Sequence, residues 1–198
     1  FITDVNEGIV KLNLKGKIIS KIEISKKWRP HGITTNDYKT FYLALSDDDS
    51  VISIDSSGKI INKFKIISKI KKDKFPRHHL NDVCYYKGSL YLSMFSINGT
   101  WKSGKFDGGI LKLNLRNKKF LKIMGKLTMP HSIHLDSSGL FVCDSFKGKL
   151  IHSKNNIIFK TNGFLRGFDS REEILITCES KNRNFSNIKK GPLNSCLD

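Results

Sequence analysis

Four polar residues recur at similar intervals along the chain, and their side chains could bind a ligand. They are His31, Asn81, His131 and Arg166, separated by 50, 50 and 35 residues. Each is followed by a small or acidic residue and then by an apolar one. Imidazole, amide and guanidinium groups that converge on one cavity can bind anions, hydroxylated molecules or metal ions. These residue types therefore predict a ligand site, provided that the fold brings them together.

The chemistry of such a site depends on which of these groups meet. Two imidazoles and an amide oxygen, from His31, Asn81 and His131, could hold one divalent metal ion. Arg166 carries a planar guanidinium that suits a carboxylate, phosphate or sulfate. The alternative is that these side chains bond to one another and to channel water without chemistry, with Arg166 in a structural salt bridge.

Two further residues near Asn81 extend the predicted ligand site. His79 lies two positions before Asn81, and Trp101 lies in a long, glycine-containing segment at 95–109. Long loops at the mouth of a rigid scaffold tend to carry specificity. Trp101 could stack on a sugar ring, or it could only pack the loop onto a neighbouring blade. The predicted ligand-binding residues are therefore His31, His79, Asn81, Trp101, His131 and Arg166.

The intervals between the polar residues indicate a repeat of roughly 40 to 50 residues, which is typical of four-stranded β-propeller blades. A run rich in β-branched and aromatic residues follows each polar residue, at FYLAL, LYLSM, LFVCD and EILITC. Third strands are predicted at VISID, GILKLNL and KLIHS, and fourth strands at KIINKFKI, KKFLKIM and NIIFK. The sequence therefore predicts an all-β fold, a partial β-propeller of four-stranded antiparallel blades.

The repeat also predicts how the chain is divided. We expect a single propeller domain at 1–198, incomplete at both ends, with four to five blades of a ring of about six. Blade remnants are expected at 1–26, whole blades at about 27–70, 75–126 and 127–162, and a partial blade at 163–198. The first strand of a blade lines the central channel, so the four polar residues should meet in one funnel.

Composition limits the partners that the chain could have. The formal net charge of +17 and the pI near 9.8 are typical of proteins that meet nucleic acid or anionic surfaces. The lysines, however, alternate with Ile, Phe and Leu as solvent-facing positions of outer strands do. Aromatic residues that could stack on bases do not interleave with them, so nucleic-acid binding is not favoured. No apolar run is long enough to span a membrane.

The cysteines and the first residue bear on the compartment. Cys84, Cys143, Cys178 and Cys196 show no metal-ligand spacing, and three of them lie in apolar strand-like runs, which predicts buried free thiols. Free thiols favour a reducing compartment, and we predict the cytoplasm. Secretion stays open, because the sequence opens with Phe1 and a signal peptide would precede it.

Several short motifs carry a resemblance to known propellers. They are HLN at His79, the Gly-Thr-Trp loop at Trp101, GGIL at Gly108, MPHS at Met129, DS at Asp144, FLRG at Phe164 and ESKNR ending at Arg183. In this order they resemble an uncharacterised, mainly bacterial propeller family, domain of unknown function 4915. That family has no assigned reaction, so the resemblance implies a fold and no activity.

A more distant resemblance concerns the channel itself. LNDV at Leu80 is similar to a channel motif of gluconolactonase and regucalcin-type propellers, which open sugar lactones with a divalent ion. Ligands in that group include Glu, Asn and Asp, whereas His31, His131 and Arg166 stand at the corresponding places here. The resemblance therefore implies a lactonase-like channel with a changed set of ligands.

Two classes of function are open from the sequence. The first is binding of a small anionic or sugar-like ligand in the central channel, with metal-assisted hydrolysis of a lactone or ester as its catalytic form. The second is a non-enzymatic propeller scaffold whose rim binds a protein or another macromolecule. The residues alone do not choose between an enzyme and a binding protein.

Overall fold

The structure is a computed structural model that describes residues 1–4, 8–66, 77–153, 156–171 and 174–181. These residues form five consecutive antiparallel sheets, and the described part of the chain contains no α-helix. The predicted all-β propeller fold of four-stranded antiparallel blades is confirmed. The end of the predicted last blade, 182–198, lies outside the described residues together with Cys196.

Within each sheet, every strand pairs with the next strand in the chain, so each sheet is a simple antiparallel meander. The first sheet contains β1 (Ile2–Asp4), β2 (Gly8–Leu12) and β3 (Ile18–Ile22). The second contains β4 (Pro30–Thr35), β5 (Phe41–Leu45), β6 (Ser50–Ile54) and β7 (Ile60–Lys65). The third contains β8 (Leu80–Tyr86), β9 (Ser89–Met94), β10 (Gly108–Asn114) and β11 (Phe120–Leu127). The fourth contains β12 (Pro130–Leu135), β13 (Leu140–Asp144), β14 (Lys149–His152) and β15 (Ile157–Lys160), and the last contains β16 (Phe164–Arg171) and β17 (Ile174–Ser180).

The core lies between successive sheets, where apolar side chains from two blades pack face to face. In the second sheet, every residue of the two middle strands β5 and β6 is buried. One apolar cluster joins the second and third sheets through Ala44 and Val51 on one side and Leu80 and Leu92 on the other. A second cluster joins the third and fourth sheets. The blades are therefore held together by burial of β-branched and aliphatic surface.

The connections between strands use aspartate side chains as backbone acceptors. Asp55 Oδ1 accepts hydrogen bonds from the backbone N–H groups of Ser57 and Lys59, at 2.8 and 3.1 Å. Gly58 in the same turn has a φ of 86°, which glycine adopts without strain. Asp136 Oδ1 likewise accepts from the N–H groups of Ser138 and Gly139. Both turns have the sequence Asp-Ser-Ser-Gly, and they fix the register of the strands that they join.

The innermost strands β4, β8, β12 and β16 lie side by side around the channel. The Asp82 carboxylate of β8 accepts hydrogen bonds from the N–H groups of Val83 and of Ile133 in β12, at 2.9 and 3.2 Å. Ser132 Oγ of β12 accepts one from the N–H group of Gly167 in β16, at 2.8 Å. Three residues that each follow a predicted channel residue, Asp82, Ser132 and Gly167, therefore link neighbouring blades.

No transmembrane helix is found, since none of the described residues forms a helix with the length and apolar character that crossing a bilayer requires. Cys84, Cys143 and Cys178 are free thiols, as predicted. The predicted burial is found for Cys143, whereas Cys84 is half-buried and Cys178 is exposed on β17, which the described residues cover on neither face. The cytoplasmic location stays a prediction.

Replacing Gly32 by alanine tests the contact between the first two complete blades. A Cβ atom at Gly32 would lie 2.4 Å from Asp82 Oδ1 and 2.8 Å from Asp82 Cα. We expect Gly32→Ala to lower the free energy of unfolding by about 1–3 kcal/mol, measured by urea denaturation. Gly125→Ala in β11 is the matched control, because its Cβ would meet only the flexible end of Lys122. Equal stability of the two variants would contradict this account.

Candidate functional site

Each predicted channel residue lies at or beside an irregularity in its innermost strand. In β4 the pairing passes from Pro30 to Gly32 and leaves out His31, and in β8 it passes from Leu80 to Asp82 and leaves out Asn81. Register shifts also follow His131 in β12 and Arg166 in β16. A bulge leaves its residue outside the ladder and changes the direction of its side chain. His31 and Asn81 therefore lie outside the ladder, whereas His131 pairs with Cys143 and Arg166 pairs with Cys178, each directly before a register shift.

Three imidazole rings meet in the channel. The centroid of the His31 ring lies 5.7 Å from that of His131 and 6.1 Å from that of His79. The His79 ring lies 4.6 Å from that of Trp101. Residues far apart in sequence are thus neighbours, and the convergence expected from the repeat is present in the structure.

Arg166 belongs to the same group of side chains. Its guanidinium carbon lies 4.8 Å from the centroid of the Phe164 ring, and the Phe164 ring lies 5.5 Å from that of His131. Its positive charge helps to lower the pKa of His31 and that of His131. The channel therefore combines one fixed cation with three imidazoles.

The predicted residues occupy two levels of the channel. His31 and Arg166 are exposed, and His79 and Trp101 are half-buried. Asn81 is 0% exposed and His131 is 5% exposed. A ligand in the funnel would therefore touch the first four residues, and Asn81 and His131 would form the buried layer behind them.

The buried layer presents hydrogen-bond acceptors. His131 Nδ1 lies 2.9 Å from the Met129 carbonyl oxygen, which can only accept, so Nδ1 carries the proton in the neutral ring. Asn81 Nδ2 donates to the Pro130 carbonyl oxygen at 2.9 Å. His131 Nε2 and Asn81 Oδ1 are left as buried lone-pair atoms with no hydrogen-bond partner among the described residues. Such unsatisfied acceptors destabilise a site by about 1–3 kcal/mol each, which a donor group would relieve.

Burial keeps the histidines uncharged near neutral pH. Desolvation, followed by the charge of Arg166, lowers the pKa of His131 to about 3. Desolvation, followed by the proximity of His31, lowers the pKa of His79 to about 4. The pKa of His31 is also lowered, because surrounding protein desolvates its charged form even at the open mouth of the funnel. At pH 7 the charge of the channel therefore comes from Arg166 and not from the imidazoles.

The carboxylate of Asp107 holds the loop that carries Trp101 through hydrogen bonds. Asp107 accepts hydrogen bonds from the Ser96 hydroxyl and from the Asn98 side chain, and the Thr100 N–H donates to Ser96 Oγ at 2.8 Å. Trp101 itself begins a single-turn 3-10 helix, Trp101–Ser103. The indole is thus held in place by the loop's own hydrogen bonds.

Two aromatic residues of the site escaped the sequence analysis. The Phe95 ring lies 4.3 Å from that of His79 and 5.5 Å from that of His131, and Phe164 contacts His131 from the other side. Both lie next to predicted motifs, Phe95 at the start of the long loop and Phe164 before Arg166. The sequence signal that could have identified them is their position immediately beside a strand end.

The metal prediction for His31, Asn81 and His131 stays a prediction. Within the described residues no group of three or more His, Cys, Asp or Glu side chains could hold a metal ion, but the predicted set uses an asparagine and is not tested by that finding. The lone pairs of His131 Nε2 and Asn81 Oδ1 are suitable donors. The charge of Arg166 opposes a second cation by the same effect that lowers the histidine pKa values.

Comparison with known families adds an identification to this geometry. The sequence matches the domain of unknown function DUF4915 over residues 31–198, a range that includes all of the predicted channel residues. The chain belongs to the DUF4915 family. The resemblance predicted from the ordered motifs is therefore confirmed, and no curated protein matches the chain.

Solved structures similar to this DUF4915 chain share its fold. A protein of unknown function from Bacteroides caccae is 16% identical, with a TM-score of 0.53, and the match covers 76% of this chain and 57% of that one. A putative gluconolactonase is 14% identical, with a TM-score of 0.53, covering 83% and 53%. The computationally designed Ika4 protein is 6% identical, with a TM-score of 0.51, covering 81% and 93%. The chain spans little more than half the length of the two natural proteins, and these identities show the fold alone.

The buried histidine should make the fold sensitive to acid. His131 has a pKa of about 3 when folded, against about 6.5 when unfolded, so the unfolded chain binds more protons between these values. Its contribution to stability is complete above pH 6.5 and is lost as the pH falls toward 3. As the pH is lowered from about 6.5 toward 3, the unfolding free energy of His131→Gln should fall less steeply than that of the unsubstituted chain. The difference in slope should be up to about 1.4 kcal/mol per pH unit, measured by urea denaturation.

His152→Gln, on the third strand of the fourth blade, is the control for this experiment. Burial raises the pKa of Asp144 to about 6. Between the unfolded and the folded pKa of this carboxyl, its contribution to stability falls as the pH rises, which is opposite to the effect of His131. Both proteins keep Asp144, so the difference between them isolates His131. An unchanged slope in His131→Gln would show that this ring is not kept neutral by the fold.

Proposed function

We propose that this propeller binds a small molecule that carries both an acidic group and hydroxyl groups, such as a sugar acid or a sugar phosphate. The observation that carries the proposal is the convergence of Arg166 with three neutral imidazoles and an indole at one end of the channel. Propeller channels are concave sites in which such groups can act on one ligand.

Arg166 supports the acidic part of this ligand. Its exposed guanidinium offers a planar fork of donors that matches carboxylate and phosphate oxygens. Lys102 adds a second cation near the mouth, with Nζ 5.6 Å from the centroid of the Trp101 ring. Asp47, the acidic residue whose charge acts on His79, is paired with Arg29 at 3.6 Å. The potential in the funnel therefore favours an anion.

The imidazoles and the indole support the hydroxylated part. A neutral imidazole offers one donor and one acceptor, which suits hydroxyl groups better than a charged ring would. Trp101 presents an aromatic surface beside His79, at 4.6 Å between centroids. A hydroxyl that reached His131 Nε2 or Asn81 Oδ1 would satisfy a buried acceptor.

Three probes separate these contributions. Gluconate carries a carboxylate and hydroxyls, glucose lacks the carboxylate, and acetate lacks the hydroxyls. We expect isothermal titration calorimetry to give a lower Kd for gluconate than for either of the others. Arg166→Gln should weaken gluconate binding roughly tenfold to hundredfold, because a charge-assisted hydrogen bond is lost.

Arg116→Gln is the matched control, because Arg116 lies in the exposed turn between β10 and β11. Its affinity for gluconate should equal that of the unsubstituted chain. If the two arginine variants bind equally well, or if acetate binds as tightly as gluconate, the proposed site is wrong.

Metal-assisted hydrolysis of a lactone or ester is a second candidate, favoured by the two buried lone-pair atoms. A bound divalent ion would act as a Lewis acid on a carbonyl oxygen or generate a hydroxide nucleophile. If this candidate holds, Zn²⁺ should raise the thermal unfolding midpoint of the native chain and of His152→Gln, but not of His131→Gln. Zn²⁺ should also accelerate δ-gluconolactone hydrolysis. If Zn²⁺, Mn²⁺ and Ca²⁺ change neither stability nor hydrolysis, the catalytic form is excluded.

A further inference from the structure

The outermost strands of the first four sheets are cationic and apolar, and none contains an acidic residue. Their sequences are IISKI in β3, IINKFK in β7, FLKIMGKL in β11 and IIFK in β15. Large apolar side chains are exposed on every one of them: Ile18, Ile19, Ile60, Ile61, Phe120, Leu121, Ile123, Ile157, Ile158 and Phe159. Exposed apolar residues are ordinary when single, but a repeated array of them indicates an interaction surface.

One part of this rim combines the array with a cavity. We define the rim sector as the outer strands β7 and β11 with the turns that precede them. A cavity of about 210 Å³ borders it, lined by Lys65 and Phe120 of the sector and by Ile66, His78, Ile97 and Leu111 beside it. The two lysines of β7 in this sector, Lys63 and Lys65, are paired with the carboxylate of Asp48. Further exposed lysines of the sector are Lys59, Lys118, Lys119 and Lys122.

The outer strands are poor templates for adding a peptide strand. Register shifts interrupt the pairing of β7 with β6 between Ser53 and Ile54. They also interrupt the pairing of β11 with β10, on either side of Ile110. Bulged pairs twist the edge of a sheet away from a partner strand, and lysines on the edge oppose pairing as well. A partner of the rim sector would therefore use side-chain contacts and not a backbone ladder.

We propose that the rim sector docks on an anionic membrane surface. Lysine side chains there would meet lipid phosphates and carboxylates, and the exposed Leu121 and Ile123 of β11 would enter the boundary between head groups and acyl chains. The apolar cavity beside Phe120 would take up hydrocarbon from the same layer. A nucleic acid would match the lysines but leave the exposed Ile, Leu and Phe side chains in water. The proposal does not depend on the ligand of the channel.

Vesicle co-sedimentation of the full chain tests this surface. We expect binding to vesicles of phosphatidylcholine and phosphatidylserine in a ratio of about two to one, weakening as salt rises. Vesicles of phosphatidylcholine alone should bind at least about tenfold more weakly, since each lysine near an anionic surface contributes about fivefold. Replacing Lys118, Lys119 and Lys122 together by glutamine should reduce binding by a comparable factor.

A matched pair of variants separates insertion from general charge attraction. Leu121 is 62% exposed and Ile176, on β17 outside the rim sector, is 61% exposed. Leu121→Glu should reduce binding at least about tenfold, because it removes apolar contact and adds repulsion, whereas Ile176→Glu should bind nearly as the unsubstituted chain does.

Three results would overturn the proposal. One is no sedimentation with phosphatidylserine vesicles, and another is equal loss in Leu121→Glu and Ile176→Glu. The third is binding to a DNA duplex or to polyglutamate that matches binding to vesicles and survives Leu121→Glu. That third result would assign the surface to an acidic macromolecule.

Discussion

The carboxylate of Asp82 links the innermost strands at the level of the candidate site, and the geometry of that site depends on it. It accepts backbone hydrogen bonds from its own strand and from β12, and on the other side it lies against Gly32 of β4, where no side chain fits. Burial raises the pKa of this carboxyl, and the N–H donors of Val83, Ile133 and Ser132 work in the opposite direction. Three blades therefore meet at one side chain that immediately follows Asn81.

The frame of the channel and its chemistry use neighbouring residues. The frame uses Asp82 together with the Asn81 side chain, which donates to the Pro130 carbonyl oxygen, and the hydrogen bond from Gly167 to Ser132 continues it to the last sheet. His31 and Asn81 lie outside the ladder, and His131 and Arg166 are the last paired residues before a register shift. Desolvation of the imidazoles and the charge of Arg166 lower the pKa values of His31 and His131 and leave uncharged imidazoles around a positive centre. An acidic, hydroxylated ligand suits that combination.

Much of the fold could be predicted from the repeat alone. The strands alternate with turns at similar intervals and are rich in β-branched residues, so the order of strands and the meeting of His31, Asn81, His131 and Arg166 followed from local pattern. The two levels of the channel could not be predicted, because the burial of Asn81 depends on the neighbouring blade. Phe95 and Phe164 were missed for the same reason, since their contacts join distant parts of the chain.

The outer strands show a different limit of sequence reasoning. Alternation of Lys with Ile predicted one face toward solvent, but in β15 the consecutive residues Ile157, Ile158 and Phe159 are all exposed. An outer strand extends past the neighbouring blade, so both of its faces reach the surface regardless of pattern. Burial in a propeller is thus decided by the distance from the channel as much as by alternation.

The bulges have a consequence for how such proteins diversify. An exposed side chain at a bulge, such as that of His31, can be exchanged without disturbing strand pairing, whereas Gly32 after it is constrained by Asp82 of the next blade. Histidine, asparagine and arginine already occupy equivalent places in successive blades of one chain. New ligand preferences can therefore evolve by single substitutions at exposed channel positions while the scaffold is inherited unchanged.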